Sequence, residues 1–465
     1  MERFYKIRQG MKVALVGYGK AGRAVLEYLG QRGVKIFVSD RRTFGELSSG
    51  EKELLEKYSA AYEGGSHTVD FLNNAEMVVL SPGIAVEHPV IAEISASGIP
   101  VLGELALAAG KFKSPVIAIT GTNGKTTVTQ LIGELLKAAG KKVFIGGNIG
   151  TPVTEYLQHP DDYEIVVLEI SSFQLQLCGA FAPDVAVLMN ITPDHLDRHK
   201  TLERYAGVKM RIFHGDGVDH AIMNGDDRLC RQFKYLSKRD SFQFFGNSVE
   251  YAACIKGVGI TIPTPDGPAV YDLSESRLAT IAGVMNSGAA LLAVRPFGID
   301  YGTALETLRS FEPGDHRLQV IAEIDGVTYI NDSKATNTGA VNIGLEQVGE
   351  NVILIAGGKD KGDNYQLLRE SVRNSVKQMV LIGETALTMS KDLGDLAPHR
   401  FAASLDEAVR LASSMAERGD SVLLSPACAS FDMFENYKHR GETFTRAVNR
   451  LLGAEHRQGG TGDKK

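Results

Sequence analysis

The run Ile117-Ala118-Ile119-Thr120-Gly121-Thr122-Asn123-Gly124-Lys125-Thr126-Thr127 constrains this chain more than any other stretch. An apolar, β-rich segment from Val116 to Ile119 leads into a glycine-bounded turn, and Lys-Thr-Thr then opens a helix. Beyond it Val128, Leu131, Ile132, Leu135 and Leu136 recur at helical spacing, and Gly140 stops the helix. Strand, glycine turn and Lys-Thr helix start are the layout of a nucleoside-triphosphate phosphate loop. The glycines let backbone N–H groups approach phosphate oxygens closely. The helix start adds unpaired N–H donors and the positive end of its dipole. Lys125 can reach the β/γ-phosphates, and the Thr126 hydroxyl can hold Mg²⁺. The general pattern has a glycine where this chain has Ile119, so the loop is short. A plain strand–helix turn with a surface lysine is the bland alternative, but the flanks fit the phosphate loop. The chain is therefore expected to use ATP or GTP.

At 465 residues the chain is too long for one ordinary core, and two or three domains are expected. An apolar fraction of 43% with 23% charged residues matches a soluble globular protein. No apolar span is long enough to cross a bilayer, and Met-Glu-Arg-Phe-Tyr-Lys lacks a signal core, so no membrane insertion and a cytoplasmic location are expected. Cys178, Cys230, Cys254 and Cys428 lie far apart without a C-x-x-C pair, which favours reduced thiols over disulfides or zinc. A net charge of −6 argues against a nucleic-acid partner. An anionic small molecule needs only local positive charge and stays open.

The organisation reads as α/β throughout. A strand from Met11 to Val16 runs into Gly17-Tyr18-Gly19-Lys20-Ala21-Gly22 and a helix, and a second strand from Val34 ends at Asp40. This is a full G-x-G-x-x-G in a βαβ setting with an acid at the end of the second strand. Alone it suggests a dinucleotide dehydrogenase, although the acid suits a ribose hydroxyl or a base edge equally well. Further strands are expected at Met77–Leu80, before Ser81-Pro82-Gly83, and at Ile99–Leu102; Ala109 to Pro115 reads as a hinge. Apolar runs at 143–145, 165–170 and 185–189 give a central domain, and runs at 327–330, 352–356, 379–382 and 422–424 give a third. The expected boundaries are 1–112, 113–312 and 313–457, with a polar disordered tail at 458–465.

Polar residues cluster where these runs end, which is where open α/β sheets bind ligands. Glu169 closes one strand, and Asp194 and His195 follow another. Beside a phosphate loop, a carboxylate and an imidazole suit Mg²⁺, which takes few protein ligands. Without that loop, a solvated strand end and a surface histidine would be the simpler readings. His195 and His199 lack the intervening Glu and the thiolates of a zinc site. Asn331 to Asn337, Gly357 to Gly362 and Ser425 to Asp432 follow three strands of the third domain and suit a small anionic substrate. Cys428 has no neighbouring base and reads as a packing residue.

At this point the chain resembles the ATP-dependent Mur ligases of peptidoglycan synthesis. The resemblance runs over nearly the whole chain. It is carried in order by GYGKAG, SPG, GTNGKTT, GGNIGTP, LEISSFQL, NITPDHLDRH, His316-Arg317, NDSKATN, LSPACASFD and ENY. The GNIG, LE-SSFQL and SPACASFD runs mark the branch that adds D-glutamate to UDP-N-acetylmuramoyl-L-alanine, and there is no DNPR-like stretch.

The resemblance implies three α/β domains: a Rossmann-like N-terminal domain for the UDP substrate, a central P-loop ATPase-like domain, and a Rossmann-like C-terminal domain for the amino acid. It implies ATP and Mg²⁺ as cofactors, a substrate carboxylate phosphorylated by ATP, and an acyl phosphate attacked by the amine of D-glutamate. By the same likeness Gly17, Gly19, Gly22, Asp40, Arg41, Ser81, Asn148 and Gln174 bind the UDP substrate. Gly121, Thr122, Asn123, Gly124, Lys125, Thr126, Thr127, Asn286, Arg317 and Asp332 serve ATP. Lys334, Thr336, Lys361, Ser430 and Tyr437 form the D-glutamate pocket. Lys125, Glu169, His195 and Lys209 carry the catalysis. Thr126, Glu169, His195 and, if carbamylated, Lys209 serve the metal. The motif departs from the family's frequent His-Asn-x-x-Asn at Met285-Asn286-Ser287-Gly288-Ala289. Nothing in the sequence demands more than a monomer. A folylpolyglutamate-synthetase-like ligase is disfavoured by the complete glycine fingerprint, and a non-catalytic nucleotide sensor remains a third reading.

Overall fold

The computed structural model describes residues 5–215 and 217–458. Strands β1 (Lys12–Val16), β2 (Lys35–Asp40), β3 (Ala61–Gly64), β4 (Met77–Leu80) and β5 (Val101–Leu102) form a parallel sheet in the order β3-β2-β1-β4-β5. Residues 13–16 and all of β4 are buried. A parallel strand covered on both faces reads as such an unbroken apolar run. The strand order reverses beside β1, which leaves a crevice at the carboxyl ends of β1 and β4.

The central sheet has nine strands: β6 (Val116–Thr120), β7 (Val143–Gly147), β8 (Ile165–Glu169), β9 (Val185–Leu188), β10 (His220–Asn224), β11 (Gln243–Gly246), β12 (Ala253–Lys256), β13 (Gly259–Ile262) and β14 (Ala269–Asp272). Their order is β14-β13-β12-β11-β10-β9-β6-β8-β7. Pairing is parallel from β7 across to β12, and β13 and β14 turn antiparallel. The expected helix after the glycine turn spans Lys125–Ala138, and Val128, Leu131 and Leu135 lock it onto Ile117 and Ile119 of β6. Burying each such side chain contributes about 2 kcal/mol. Strands β10 to β14 mix polar residues or glycine into their four or five positions, and they are fixed by pairing onto the sheet.

The last sheet comprises β15 (Gln319–Ile324), β16 (Val327–Asn331), β17 (Val352–Gly357), β18 (Val376–Ile382), β19 (His399–Ala402) and β20 (Ser421–Leu424), in the order β15-β16-β20-β17-β18-β19. Only the β15–β16 hairpin is antiparallel. Val352 and Leu354 face one core while Ile353 and Ile355 face the other, the period of two of a strand covered on both sides. Among the described residues the chain thus has three parallel-rich sheets, each flanked by helices. They fall into two compact units: one runs to Ile191 and adds Glu203–Ala279 and Gly283–Phe311, the other takes Thr192–Leu202, Thr280–Ala282 and the chain from Glu312. The last helix, Tyr437–Gln458, includes the first residue of the expected disordered tail; 459–465 lie outside the described residues. Among the described residues no helix is long and apolar enough to cross a membrane.

Candidate active site

Strand β6 lies between β8 and β9, so its phosphate loop emerges between Glu169 at the end of β8 and Asn190 just past β9. Gly121 has φ 153°, and a Cβ there would lie 2.8 Å from Cβ of Met189, so only glycine fits. Asn190 organises the turn: its Oδ1 accepts from the N–H of Thr122 (3.1 Å) and of Asn123 (2.8 Å), and its amide donates to Asn123 O (3.1 Å). Lys125 Nζ folds back onto the carbonyls of Gly121 and Thr122, at 2.8 Å each. It thereby curls over the loop a phosphate would enter.

Glu169 is 2% exposed, and both its oxygens are held. Thr126 Oγ1 donates to one (2.6 Å) and the Asn148 amide donates to the other (2.7 Å). Thr126, Glu169 and Asn148 form a hard oxygen-rich corner beside Lys125, a donor set that fits Mg²⁺ completed by phosphate and water. Thr127 is buried in the first turn of the helix. Lys209 is buried at 1% exposure, with Nζ donating to Gly121 O (2.7 Å) and lying 4.6 Å from the Tyr205 ring centroid. Tyr205 in turn meets Thr122 Oγ1 at 3.1 Å. A carbamylated Nζ would keep one N–H, so the contact with Gly121 suits either form. Asn286 reaches the loop from the helix Ile281–Val294: its Oδ1 lies 2.7 Å from where a Cβ on Gly124 would be.

At the first sheet, Gly17 and Ser81 face each other across the ends of β1 and β4, and the N–H of Ser81 donates to Val16 O. A Cβ on Gly22 would lie 2.1 Å from Gly17 O, so the glycine is what lets the helix Lys20–Gly30, preceded by Gly19, pack onto the turn. Asp40 accepts from the N–H of Tyr18 (2.6 Å) and from both N–H and Nε–H of Arg42 (3.0 Å each). Burial opposes its charge, but these hydrogen bonds and the Arg42 guanidinium win and hold its carboxyl below the usual range. Arg42, not the exposed Arg41, is the cation built into this corner, and it also binds Glu51. Gln174 is buried and its Oε1 closes a capping box with Ser171 at the start of the helix Ser172–Gln176.

In the second unit, β16, β20 and β17 are neighbours, so the three polar segments that follow them lie side by side. Ala427 N–H donates to Ala335 O (3.0 Å) and Lys359 N–H to Ala429 O (2.9 Å), tying them together. Arg440 is fully buried and staples two of them: it donates to Ser333 Oγ (3.1 Å) and O (2.9 Å), Cys428 O (3.1 Å) and Ala429 O (3.2 Å). Burial lowers its pKa to about 10, which leaves it charged at neutral pH. Lys334 Nζ lies 3.9 Å from the Tyr437 ring centroid. Ser430 is buried and Thr336 half-buried in the same segments. Lys361 Nζ donates to Asp194 Oδ1 (2.8 Å), whose other oxygen accepts from Asn337 (3.1 Å). His195, with φ 55°, follows in the same segment, its N–H bound to Asp194 Oδ1 (2.9 Å). Asp332 is buried; Ser425 Oγ (2.9 Å) and the Leu318 N–H (3.3 Å) donate to it, and burial pushes its pKa up to about 7. Arg317 stands nearby and its charge partly offsets that rise. Cys428 is buried against Tyr365 and Thr385, with its thiol pushed up to about 11, a packing residue and not a nucleophile.

Three family profiles match the chain: the Mur ligase MurD-like N-terminal domain over residues 11–103, the Mur ligase middle domain over 119–267, and the Mur ligase glutamate ligase domain over 316–428. A UDP-N-acetylmuramoylalanine–D-glutamate ligase of Desulfotalea psychrophila is 45% identical over 94% of this chain and 96% of its own length. One of Geotalea daltonii is 39% identical over 97% and 99%. This chain belongs to the Mur ligase family. Two solved structures share its fold at low identity. A pseudomurein peptide ligase type C from Methanothermus fervidus has a TM-score of 0.59 at 18% identity, covering 95% of this chain and 100% of that one. The MurF ligase from Thermotoga maritima in complex with ADP has 0.58 at 19%, covering 97% and 98%.

This Mur ligase keeps Asn286 against the phosphate loop but has Ala289, fully buried, where the family often carries a second Asn. The helix therefore presents no polar group there. Sequence reasoning did not single out Asn190, Tyr205, Arg42 or Arg440. Asn190 follows a strand on the loop's far side, and Arg440 sits in a helix remote in sequence, so only the pairing of β6 with β9 and of β16 with β20 reveals them.

Proposed function

We propose that this Mur ligase adds D-glutamate to UDP-N-acetylmuramoyl-L-alanine at the expense of ATP, through an acyl phosphate, releasing ADP and phosphate. The observation that carries the reading is the end-to-end likeness to a D-glutamate ligase, 45% identical over 94% of this chain. A carboxylate is a poor electrophile, and phosphorylation turns its oxygen into a leaving group. Two anions must meet for that step, so cations at the phosphate loop are needed. Lys125 leaves the carbonyls of Gly121 and Thr122 to bind the transferring phosphoryl, with Gly121 to Thr127 cradling the chain of phosphates. Glu169, Thr126, His195 and a carbamylated Lys209 serve Mg²⁺, which supplies charge neutralisation when bound. Asn286, Arg317 and Asp332 serve the nucleotide. Gly17, Gly19, Gly22, Asp40, Arg41, Ser81, Asn148 and Gln174 serve the UDP substrate. Lys334, Lys361, Thr336, Ser430 and Tyr437 serve D-glutamate. The boundaries 1–112, 113–312 and 313–457 divide these three duties, and an ATP-dependent precursor reaction supports a cytoplasmic location.

The test is a panel of D- and L-amino acids with UDP-N-acetylmuramoyl-L-alanine, following phosphate release. ADP and phosphate should form only with both the UDP substrate and D-glutamate. Equal release with L-glutamate, or release without any amino acid, counts against the reading. Oxygen-18 in the substrate carboxylate should appear in the liberated phosphate.

A further inference from the structure

The helix Glu104–Ala108 is buried along its whole length and packs on both the helix Val153–Tyr156 and the helix Ser172–Gln176. Its first residue is its only charged one. Glu104 is 4% exposed, and a single oxygen, Oε1, accepts from both the N–H (2.7 Å) and the hydroxyl (2.8 Å) of Thr154. A buried carboxylate costs several kcal/mol unless it is well paired, so an apolar packing residue would be the cheaper choice for mere filling. None of the chemistry above uses it.

What Glu104 does hold is one end of the segment 147–154. Next to its other end stands Asn148, whose N–H donates to Glu169 O (2.8 Å) and whose amide donates to Glu169 Oε1 (2.7 Å). Within the segment the N–H of Gly147 donates to Thr151 O (2.8 Å), which closes the turn, and Lys20 Nζ donates to Gly150 O (2.6 Å) from the glycine-rich turn of the first sheet. The Glu169 carboxylate is thus oriented by Thr126 on one oxygen and, on the other, by a segment anchored at Thr154.

We infer that Glu104 is a positioning residue for the ligation: by clamping Thr154 it fixes the segment that holds the Glu169 carboxylate in register with the phosphate loop. The inference rests on the proposed ATP-dependent reading. A residue that orients a ligand through hydrogen bonds is worth about 10- to 100-fold in affinity for what the ligand holds.

The experiment compares the full-length protein with Glu104→Ala, Glu104→Gln, Asn148→Ala and the Glu104→Ala/Asn148→Ala double variant. Amide exchange is read on peptides covering 147–154, and the affinity for a non-hydrolysable ATP analogue in excess Mg²⁺ is read by calorimetry. Glu104→Ala should speed exchange in 147–154 and weaken the analogue about tenfold. Glu104→Gln keeps an oxygen facing the same two donors and should stay within about twofold of the parent. Glu104 and Asn148 act through one segment, so the double variant should be no worse than the poorer single variant. Should Glu104→Ala fail to fold, Thr154→Val removes only the hydroxyl donor and carries the same comparison, with a loss of about threefold expected. The inference is overturned if the alanine variant lowers thermal stability while binding the analogue as the parent does, or if the two losses add. Parent protein that releases ADP without D-glutamate would sink the ligase reading instead, and the exchange measurement would still report on Glu104.

Discussion

At the scale of single residues, the site is a set of charges whose surroundings decide their use. Lys125 Nζ donates to two loop carbonyls, so under the proposed function its contribution comes when a phosphate displaces them. Lys125→Ala should lower kcat/KM for ATP by about 100-fold or more while leaving the unfolding midpoint close to the parent's, measured by steady-state kinetics and thermal melts. Asp332 illustrates the opposite case. Burial raises its pKa from 3.8 to about 7, so the folded state holds a proton that the unfolded chain has lost between those values. Its contribution is fully present below about pH 4 and is lost as pH rises through about 7. Asp332→Asn can keep the Leu318 N–H on its oxygen and donate to Ser425 Oγ. The variant should therefore show a flatter midpoint-versus-pH curve between pH 4 and 7 than the parent. An unchanged slope would show that Asp332 is ionised in the fold throughout.

At the scale of elements, function depends on neighbouring strands ending together. The segments after β16 and β20 lie against each other because those strands pair, and Arg440 holds them with donors to three residues. Arg440→Met removes the Arg440 donors from Ser333 O and Cys428 O and leaves Ala429 O only the Lys359 N–H, which should cost about 3 kcal/mol or more in urea unfolding. Arg440→Lys should recover little of this, because one ammonium cannot span the same fork. In both variants KM for D-glutamate should rise more than KM for ATP, and an equal rise in both would argue against a local effect. Much of this scale was legible beforehand: residues 77–80 formed the expected strand, and the runs at 116–119 and 185–189 shifted by only one residue at an end, because unbroken apolar runs bounded by glycine or polar residues read as strands buried on both faces. The short strands β10 to β14 were not legible, since each mixes polar residues or glycine into its four or five positions and none is an unbroken apolar run like Met77–Leu80.

At the scale of the whole molecule, the phosphate loop and the glycine-rich loop both belong to the first compact unit, while Lys334, Lys361 and Ser430 belong to the second. An ATP analogue or the UDP substrate at 100 times its Kd should stabilise the first unit by about 2.7 kcal/mol. D-glutamate should slow exchange chiefly in 331–337 and 425–432. Hydrogen exchange with each ligand alone checks this, and protection by D-glutamate confined to the first unit would refute the assignment. The sequence by itself determined the three α/β domains, the strand–glycine-turn–helix of residues 116–138, the glycine-rich turn at Gly17 and the polar strand ends, because apolar runs, glycine placement and helix-opening residues are local properties of a chain. Only the tertiary structure decided that Asn190 grips the phosphate loop, that Arg42 and not Arg41 closes on Asp40, and that Arg440 and Glu104 clamp segments distant in sequence. Those partners are chosen by strand order and by the need of buried polar groups for hydrogen bonds, and neither is written in any local pattern.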